Sequence, residues 1–401
     1  MRLLHLSDLH LGYRQYQRQT PAGINQREAD VAGAFKRAVD RVIELRPDVV
    51  VFAGDIFHNV RPTNPAILHS FTQFARLARA LPDAAIVMVA GNHDTPRAVE
   101  TGCILRLFVP LGIHVIDSEA RRLAFPERDL SILAVPDTAV ARPVLAPDSA
   151  ARYNVLLLHG EVEGIIPRHA SMTERTAIEI PREELGASRW SYVALGHYHV
   201  CREVAPNAWY SGSIEYTSAN TWGELQEERE AGLPGKGFIE RDLETGAQTF
   251  HHIEPARALV DLPLLSARGM SVDELDAAIS AAIDGCPGGV DEKIVRLVVR
   301  DVPRHIAREL DHKRMREFKR RALHFHLDTR RPEIIRVSGY GSPGRRPTIA
   351  DIVRDKLRSR VLESDIDREA LIELGLRYLR EAEAAESAAA AASAAALEPP
   401  G

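Results

Sequence analysis

The stretch Val87-Met-Val-Ala-Gly-Asn-His-Asp-Thr-Pro96 begins as an apolar, β-branched segment and ends in three polar side chains, Asn92, His93 and Asp94. The apolar part predicts a buried strand. An amide, an imidazole and a carboxylate are costly to bury unless each has a partner. We therefore expect this strand to end at a polar site to which other parts of the chain contribute.

Four other predicted strands end in similar side chains. They are SDLHLG at 7–12, AGDIFH at 53–58, LLLHGEVEG at 156–164 and LGHYHV at 195–200. Because the carboxyl ends of strands in an open α/β sheet face one crevice, these motifs should converge. The predicted ligands are Asp8, His10, Asp55, Asn92, His159, His197 and His199.

The spacing of these ligands predicts a centre with two metal ions. In an extended segment residues i and i+2 point the same way, so Asp8 with His10, and His197 with His199, can each present a pair. Carboxylate, imidazole and amide groups suit first-row divalent ions, and this set is larger than one ion needs. Asp55 is the predicted bridge between two ions about 3.5 to 4 Å apart, the arrangement used for displacement at phosphorus.

His93 adjoins a predicted ligand without being one, so we expect it to face the reacting phosphate. There it would protonate the leaving oxygen or stabilise developing charge, with Asp94 orienting it. Taken singly, a D-x-H or H-x-H motif more often marks hydrogen-bonded structural residues. The joint occurrence of five such motifs at strand ends favours the catalytic interpretation.

Six apolar segments alternate with helix-like segments in the first 255 residues, which predicts an α/β fold with layered packing. The predicted strands are 2–8, 47–55, 84–91, 130–136, 153–160 and 191–197. Beyond them we expect a small α+β domain over 256–337, with a helix at 271–285, a strand at 294–302 and a basic helix at 304–325. The remaining predictions are a linker at 338–347, helices within 348–383 and a low-complexity tail at 384–401.

Composition limits the function classes. The chain has 401 residues and a formal net charge of −5, so any nucleic-acid contact needs a local basic patch. The three cysteines are far apart, which favours a reducing, cytoplasmic setting. No apolar run approaches the roughly 20 residues of a membrane helix, so we expect a soluble protein with no membrane contact.

Two segments are candidate DNA contacts. Residues 304–325 hold eight Lys or Arg against three acids, and YRQYQRQ at 13–19 interleaves aromatic and basic side chains. A solvated helix face and an ordinary surface loop explain the two segments equally well. The candidate residues are Tyr13, Arg14, Tyr16, Arg18, Arg314, Arg316, Lys319 and Arg320.

Taken together, SDLHLG, GDIFH, GNHD, LLLHGEVEG and GHYH resemble the motifs of the calcineurin-like metallophosphoesterases. YVALGHYHV, YSGSIEYTS and GKGFIERDL narrow the resemblance to the SbcD-type double-strand-break repair nucleases. The resemblance implies a β-sandwich flanked by helices, in four αββα layers, as a nuclease domain over 1–255. It also implies a capping domain that contacts DNA, C-terminal helices that bind an SMC-like ATPase of the SbcC type, and a homodimer.

The resemblance also implies roles for the site residues. One Mn²⁺ would be held by Asp8, His10, Asp55 and His199, and the other by Asp55, Asn92, His159 and His197. The catalytic histidine of the family falls on His93. A second functional histidine, of the archaeal and eukaryotic branch, falls on His58, where bacterial members tend to have Asp; a chemical and a substrate-positioning role are both open.

The function expected from the sequence is an Mn²⁺-dependent DNA nuclease. It would act as a double-strand exonuclease and single-strand endonuclease in break repair, together with the ATPase. One alternative keeps the chemistry but changes the substrate to a cyclic nucleotide or another small phosphodiester. A catalytically silent, metal-bound scaffold is the other alternative.

Overall fold

The computed structural model describes residues 1–96, 102–138, 143–166, 178–233, 235–332, 348–359 and 367–395. The chain divides into two compact units, Met1–Pro332 and Glu333–Gly401. The first unit contains all the strands described below, and the second contains a pair of helices.

The first sheet of the larger unit has six strands. They are β1 (Arg2–Leu6), β2 (Val49–Phe52), β3 (Ala85–Val89), β4 (His114–Ile116), β13 (Gly237–Asp242) and β14 (Gln248–His252). Their order is β14-β13-β1-β2-β3-β4, and the four strands from β1 to β4 are parallel. The carboxyl ends of β1, β2 and β3, which precede three of the predicted site motifs, therefore lie at one edge.

The second sheet also has six strands. They are β5 (Arg121–Phe125), β6 (Leu130–Val135), β7 (Tyr153–His159), β10 (Tyr192–Gly196), β11 (Arg202–Ala205) and β12 (Ala208–Tyr210). Their order is β11-β12-β10-β7-β6-β5, and β6, β7, β10 and β12 are parallel. The two remaining site motifs follow β7 and β10. All six strands predicted from the sequence are present in the two sheets.

The two sheets pack face to face, with helices on the outside. Alternate residues of each strand point to opposite faces. In the first sheet, Leu3 and Val87 pack against the second sheet, whereas Leu4 and Met88 pack under the helices. This confirms the predicted α/β class with two sheets flanked by helices.

The helices and short elements around the two sheets have the following bounds. On the first sheet lie α1 (Gln26–Leu45), α2 (Asn64–Ala80) and a 3-10 helix (Ile104–Leu111). On the second lie β8 (Glu161–Val162), β9 (Glu179–Ile180), α3 (Arg182–Leu185) and a 3-10 helix (Ala187–Arg189). A further 3-10 helix (Pro126–Arg128) precedes β6, and α4 (Thr221–Glu230) precedes β13.

A third, smaller sheet follows β14 and has its own apolar core. Its strands are β15 (Leu259–Asp261), β16 (Leu265–Ser266), β17 (Ile294–Arg300) and β18 (His324–Thr329), and its helices are α5 (Val272–Asp284), α6 (Arg304–Glu309) and α7 (His312–Arg321). β17 is paired in parallel with all three of the other strands. A Ser271–Glu274 capping box starts α5.

The single basic helix predicted over 304–325 is wrong. The backbone turns at Leu310, and the Asp311 carboxylate accepts hydrogen bonds from the N–H groups of Lys313 and Arg314, which starts a second helix. The last residues of the predicted helix instead form β18, where Phe325 lies in the core. Basic residues continue on both sides of the cap at Asp311, so the charge pattern did not indicate that one helix ends and another begins there.

The second unit consists of α8 (Ile349–Ser359) and α9 (Arg368–Ala395). The two helices pack closely, since a Cβ added at Gly375 would lie 2.8 Å from Leu357 Cδ1. α9 runs past the predicted end near 383, which fits the high helix propensity of its alanines. The predicted linker at 338–347 lies outside the described residues. Across the described parts of the chain, no helix is long and apolar enough to cross a membrane.

The fold of the larger unit depends on a buried ion pair. Arg27 is almost fully buried in the first turn of α1 and reaches Asp30 (3.2 Å), Glu215 (3.3 Å) and the carbonyl oxygen of Tyr216 (2.7 Å). It thereby ties α1 to the segment that precedes α4. Removal of one partner from such a cluster leaves charges buried without compensation.

We predict that Arg27→Met lowers the free energy of unfolding by about 3–5 kcal/mol, because the buried Glu215 loses its counter-ion, while Asp30 retains its pair with Arg257. Urea denaturation followed by circular dichroism in EDTA measures this loss. Arg41→Met is the matched control: its pair with Glu44 is exposed, and its loss should cost less than about 1 kcal/mol. Equal losses in the two variants would contradict the prediction.

Candidate metal centre

Four predicted ligands have a backbone conformation that non-glycine residues seldom adopt. The φ angles are 52° at Asp8, 46° at His10, 51° at Asp55 and 108° at His197. Such positive values cost conformational energy and cluster at functional sites. Here each occurs within four residues of the end of a strand, where the chain leaves the sheet.

Backbone hydrogen bonds hold the segments after β1 and β2 together. Asp8 N donates to Gly54 O (3.0 Å), and His10 N donates to Asp55 O (2.9 Å). Gly54 has a φ of 90°, which glycine tolerates at no steric cost. Gly91 permits a close approach, since a Cβ there would lie 2.1 Å from Asp55 Oδ1. The local sequence therefore favours strand ends that bring Asp8, His10 and Asp55 side by side.

One group of ligands lies around His10. Its Nε2 is 2.9 Å from His199 Nε2 and 3.8 Å from Asp55 Oδ2. Ligand atoms of Asp8, His10 and His199 all lie within 4.8 Å of one another. These are the residues expected to hold the first ion, together with Asp55.

A second group lies around His159. Its Nε2 is 2.9 Å from Asn92 Oδ1 and 3.5 Å from Asp55 Oδ2. Its Nδ1 donates to Ala53 O (2.8 Å), which leaves Nε2 free to bind a metal. The ring of His197 lies 5.6 Å from that of His159. The backbone N–H of His197 donates to Asp8 Oδ1 (3.0 Å).

The donor atoms fit a cation. Two histidine nitrogens face each other, a third faces the Asn92 oxygen, and Asp55 lies beside both groups. Among the described residues, the buried atoms Asp55 Oδ2 and His197 Nδ1 have no hydrogen-bond partner. Buried acceptors arranged in this way repel one another unless positive charge lies between them.

Electrostatics keeps two of the imidazoles neutral. Burial, with the neighbouring histidines, holds the pKa of His10 well below its usual value and lowers the pKa of His197 to about 3. Burial also lowers the pKa of His159, but the charges of Asp55 and Asp8 outweigh it and raise that pKa. Metal ions bind neutral imidazole, so His10 and His197 are in the ligand form at neutral pH.

His93 and His58 lie beside the first group. Their rings are 4.8 Å and 5.3 Å, respectively, from the ring of His10. His93 Nδ1 donates to His58 O (2.8 Å), and His93 N donates to Asp55 Oδ1 (2.9 Å). These contacts leave His93 Nε2 as the nitrogen for proton transfer.

Asp94 does not orient His93 as predicted. Its buried carboxylate accepts hydrogen bonds from the backbone N–H groups of Ile56 (3.0 Å), Phe57 (2.9 Å) and Gly91 (3.1 Å). It therefore fixes the segment after β2 against the segment after β3. The orienting partner of His93 is a backbone carbonyl, which residue types alone do not indicate.

Tyr13, Tyr16 and Arg18 of the YRQYQRQ segment, predicted as DNA contacts, contact other parts of the protein. Tyr13 is buried, and its ring lies 4.9 Å from that of His58. Tyr16 stacks on His324 of β18, with ring centroids 3.9 Å apart. Arg18 pairs with Glu292 and donates to Ala322 O (3.2 Å). The segment thus joins the first sheet to the small sheet. Arg14 and Arg18 are the exposed members of its four candidates, and Arg14 lies 3.8 Å from Glu28.

The candidate contacts on α7 have a different environment. Arg314, Arg316, Lys319 and Arg320 are all exposed, while Met315 and Phe318 of the same helix are buried. Arg314 lies 3.8 Å from Asp284. Within the described part of the chain, the other three cations form no ion pair. The cationic face of α7 is therefore available to a polyanion.

Three residues that were not predicted from the sequence, Glu224, Lys236 and Ser7, contact the predicted ligands. His199 Nδ1 lies 3.2 Å from Glu224 Oε1, and Lys236 Nζ donates to His199 O (2.9 Å). Ser7 Oγ donates to Asp8 Oδ2. The motifs YSGSIEYTS and GKGFIERDL flank α4 and were the available signal for these residues.

The amino-acid sequence is similar to a known protein family and to several characterised proteins. The sequence model of the calcineurin-like phosphoesterases matches residues 1–201. Three relatives carry the name DNA double-strand break repair protein Mre11. They come from Methanocaldococcus jannaschii (27% identity, 59% of this chain, 61% of the relative), Methanococcus maripaludis (26%, 61%, 63%) and Thermoplasma acidophilum (28%, 54%, 57%). The chain thus spans under two thirds of the length of each. The predicted resemblance to the calcineurin-like metallophosphoesterases is confirmed.

We predict that Asp55→Asn prevents tight binding of both metal ions, because Asp55 adjoins both ligand groups. Metal content after dialysis against Mn²⁺, measured by elemental analysis, should fall from two ions per chain to none. Asp48→Asn, at the opposite end of β2, is the matched control and should retain both. Two ions retained by Asp55→Asn would show that Asp55 is not shared between them.

Proposed function

The chain belongs to the calcineurin-like phosphoesterase family, and from this premise we propose that it is an Mn²⁺-dependent DNA nuclease of the SbcD type. It would act as a double-strand exonuclease and a single-strand endonuclease in break repair. The observation that carries the proposal is the convergence of the other six predicted ligands around Asp55, with His93 beside them. The names of the relatives support DNA as the substrate.

The proposed ligand sets follow the two groups. Asp8, His10, Asp55 and His199 would hold one ion, and Asp55, Asn92, His159 and His197 the other. When bound, the ions supply Lewis-acid stabilisation of the charge that develops at phosphorus. The buried carboxylates and neutral imidazoles keep this positive charge in a site of low dielectric, where it interacts most strongly.

His93 is the proposed general acid. Its Nδ1–H bond to His58 O fixes the ring, so a proton carried on Nε2 can be given to the leaving oxygen. Loss of that proton leaves the neutral tautomer, which the same bond stabilises. His58 is proposed to position His10 or the substrate, since its Nδ1 lies 3.3 Å from His10 Nδ1.

DNA would lie along the cationic face of α7, with Arg14 as a further contact. The face consists of Arg314, Arg316, Lys319 and Arg320. In a chain of net charge −5, a local patch of this kind is the electrostatic feature that attracts a phosphate backbone. Residues 256–337 are proposed as the capping domain that carries it.

The proposed macromolecular partners are an SMC-like ATPase of the SbcC type and a second copy of the chain, in the cytoplasm. Ile349 and Ile352 of α8 and Tyr378 of α9 are exposed apolar side chains at helical spacing, which suits docking into a partner's groove. On α2, Leu68 is 69% exposed and Phe71 40%. These two form the proposed contact with the second copy, because large apolar side chains side by side favour association.

Hydrolysis of linear duplex DNA and of bis(p-nitrophenyl) phosphate, each with Mn²⁺ and with EDTA, tests the proposed activity. We expect Mn²⁺-dependent cleavage of both substrates by the wild-type protein. His93→Gln should retain two Mn²⁺ and lose at least about 10²-fold in rate on DNA, the usual contribution of a general acid or charge stabiliser.

The same assay separates the alternatives. Turnover of the small ester without cleavage of DNA would favour a small-molecule phosphodiesterase, and Mn²⁺ binding without turnover of either would favour a silent scaffold. Loss of Mn²⁺ by His93→Gln would mean that His93 helps to hold the metal, contrary to the role proposed for it.

Replacement of the four cations of the α7 face by Gln should weaken duplex binding and reduce its salt dependence. The slope of log K against log salt should fall by about 0.9 for each DNA phosphate that the protein no longer neutralises. Fluorescence anisotropy over a salt series measures both effects. Lys36, Arg37, Arg41 and Arg79, four exposed cations of α1 and α2, provide a matched set of control replacements. An unchanged slope would leave α7 as an ordinary solvated helix.

A further inference from the structure

Helix α4 carries buried acids. Glu224 and Glu228, one turn apart, are both buried, and their shared counter-ion Lys236 is 1% exposed. Lys236 Nζ lies 2.7 Å from Glu224 Oε2 and 3.0 Å from Glu228 Oε1. Burial of such a cluster costs desolvation energy, and apolar side chains of similar size would often stabilise the fold as well. The cluster therefore needs an explanation beyond stability.

The cluster ends on a proposed metal ligand. Glu224 Oε1 lies 3.2 Å from His199 Nδ1, and Lys236 Nζ donates to the carbonyl oxygen of His199 (2.9 Å). The other ring nitrogen, Nε2, faces His10 Nε2 across 2.9 Å. One end of the imidazole is thus directed at the ligand group, and the opposite end at a carboxylate.

We propose that Glu224 is a positioning residue for His199, and that Lys236 holds the Glu224 carboxylate in place. The carboxylate beside Nδ1 favours the tautomer that carries its proton on Nδ1 and leaves Nε2 for the metal, and it restricts the ring orientation, as carboxylates behind metal-bound histidines do. The inference rests on the proposed metal centre and adds to it a supporting layer built on α4.

Glu227 provides a matched comparison on the same helix. Its carboxylate accepts from Tyr198 Oη and pairs with Arg202 (2.6 Å), and neither residue is a proposed ligand. A substitution at Glu227 therefore perturbs α4 and removes a charge without touching the support of His199. Comparison of substitutions at Glu224 and Glu227 therefore distinguishes a loss of His199 positioning from a general loss of stability of α4.

Mn²⁺ binding to the full chain, measured by titration calorimetry and by electron paramagnetic resonance, tests the inference. The wild-type protein should bind two Mn²⁺. Glu224→Gln should weaken one of the two by about 10–100-fold and leave the other unchanged, because a Gln amide cannot accept from both His199 and Lys236. Glu227→Gln should bind both as the wild-type protein does. A merely structural role of Glu224 would weaken both ions or neither.

Two controls keep the outcomes distinct. Thermal unfolding in EDTA shows whether Glu224→Gln is folded. If it is not folded, Glu224→Asp replaces it with the same expected result. Glu224→Asp keeps the charge beside Lys236 but is one methylene shorter. Two ions bound with wild-type affinity by the folded variant would overturn this inference alone. A wild-type protein that binds no Mn²⁺ would overturn the proposed metal centre, and the inference with it.

Discussion

The structure of the site depends on the burial of hydrogen-bond acceptors together at one end of two mixed β-sheets. Asp8 and Asp55 are buried, as are His10, His159, His197 and His199. Carboxylates and neutral imidazoles offer lone pairs to the same small volume, and apolar strands close it from below. Cations between these groups would compensate the repulsion of their lone pairs, so the composition of the strand ends favours a metal centre.

Backbone strain is the second consequence of that constraint. Asp8, His10 and Asp55 all have positive φ angles where the chain leaves the sheet, and potential ligand atoms of these residues lie close together in the crevice. Each such residue costs of order 1–3 kcal/mol, which the surroundings must offset. Hydrogen bonds from Asp8 and His10 to the segment after β2, and three N–H bonds to Asp94, provide the compensation.

The strands, and the meeting of the polar side chains at their ends, were predictable from the sequence because both follow from local rules. Apolar runs of strand length place their carboxyl ends at one edge, so D-x-H, GNHD and H-x-H motifs had to meet. Roles that depend on contacts between distant segments were not predictable in this way. Tyr13 and Arg18 show the limit, since the same mixture of aromatic and basic residues serves equally for packing and for binding DNA. Glu224 shows it again, because an acid on a polar helix gives no sign that it is buried against His199.

Helix α4 also explains how the site and the small sheet are held in one arrangement. On one side it presents Glu224 to His199. On another, the Trp222 ring lies under the Arg296 guanidinium of β17 at 4.8 Å, and Leu225 packs with a small apolar cluster that includes Leu323. A helix fixed by a buried ion cluster at one face and by an aromatic contact at the other cannot shift without disturbing both. The polar composition of α4 therefore serves to link the small sheet, through one rigid element, to a ligand of the proposed metal centre.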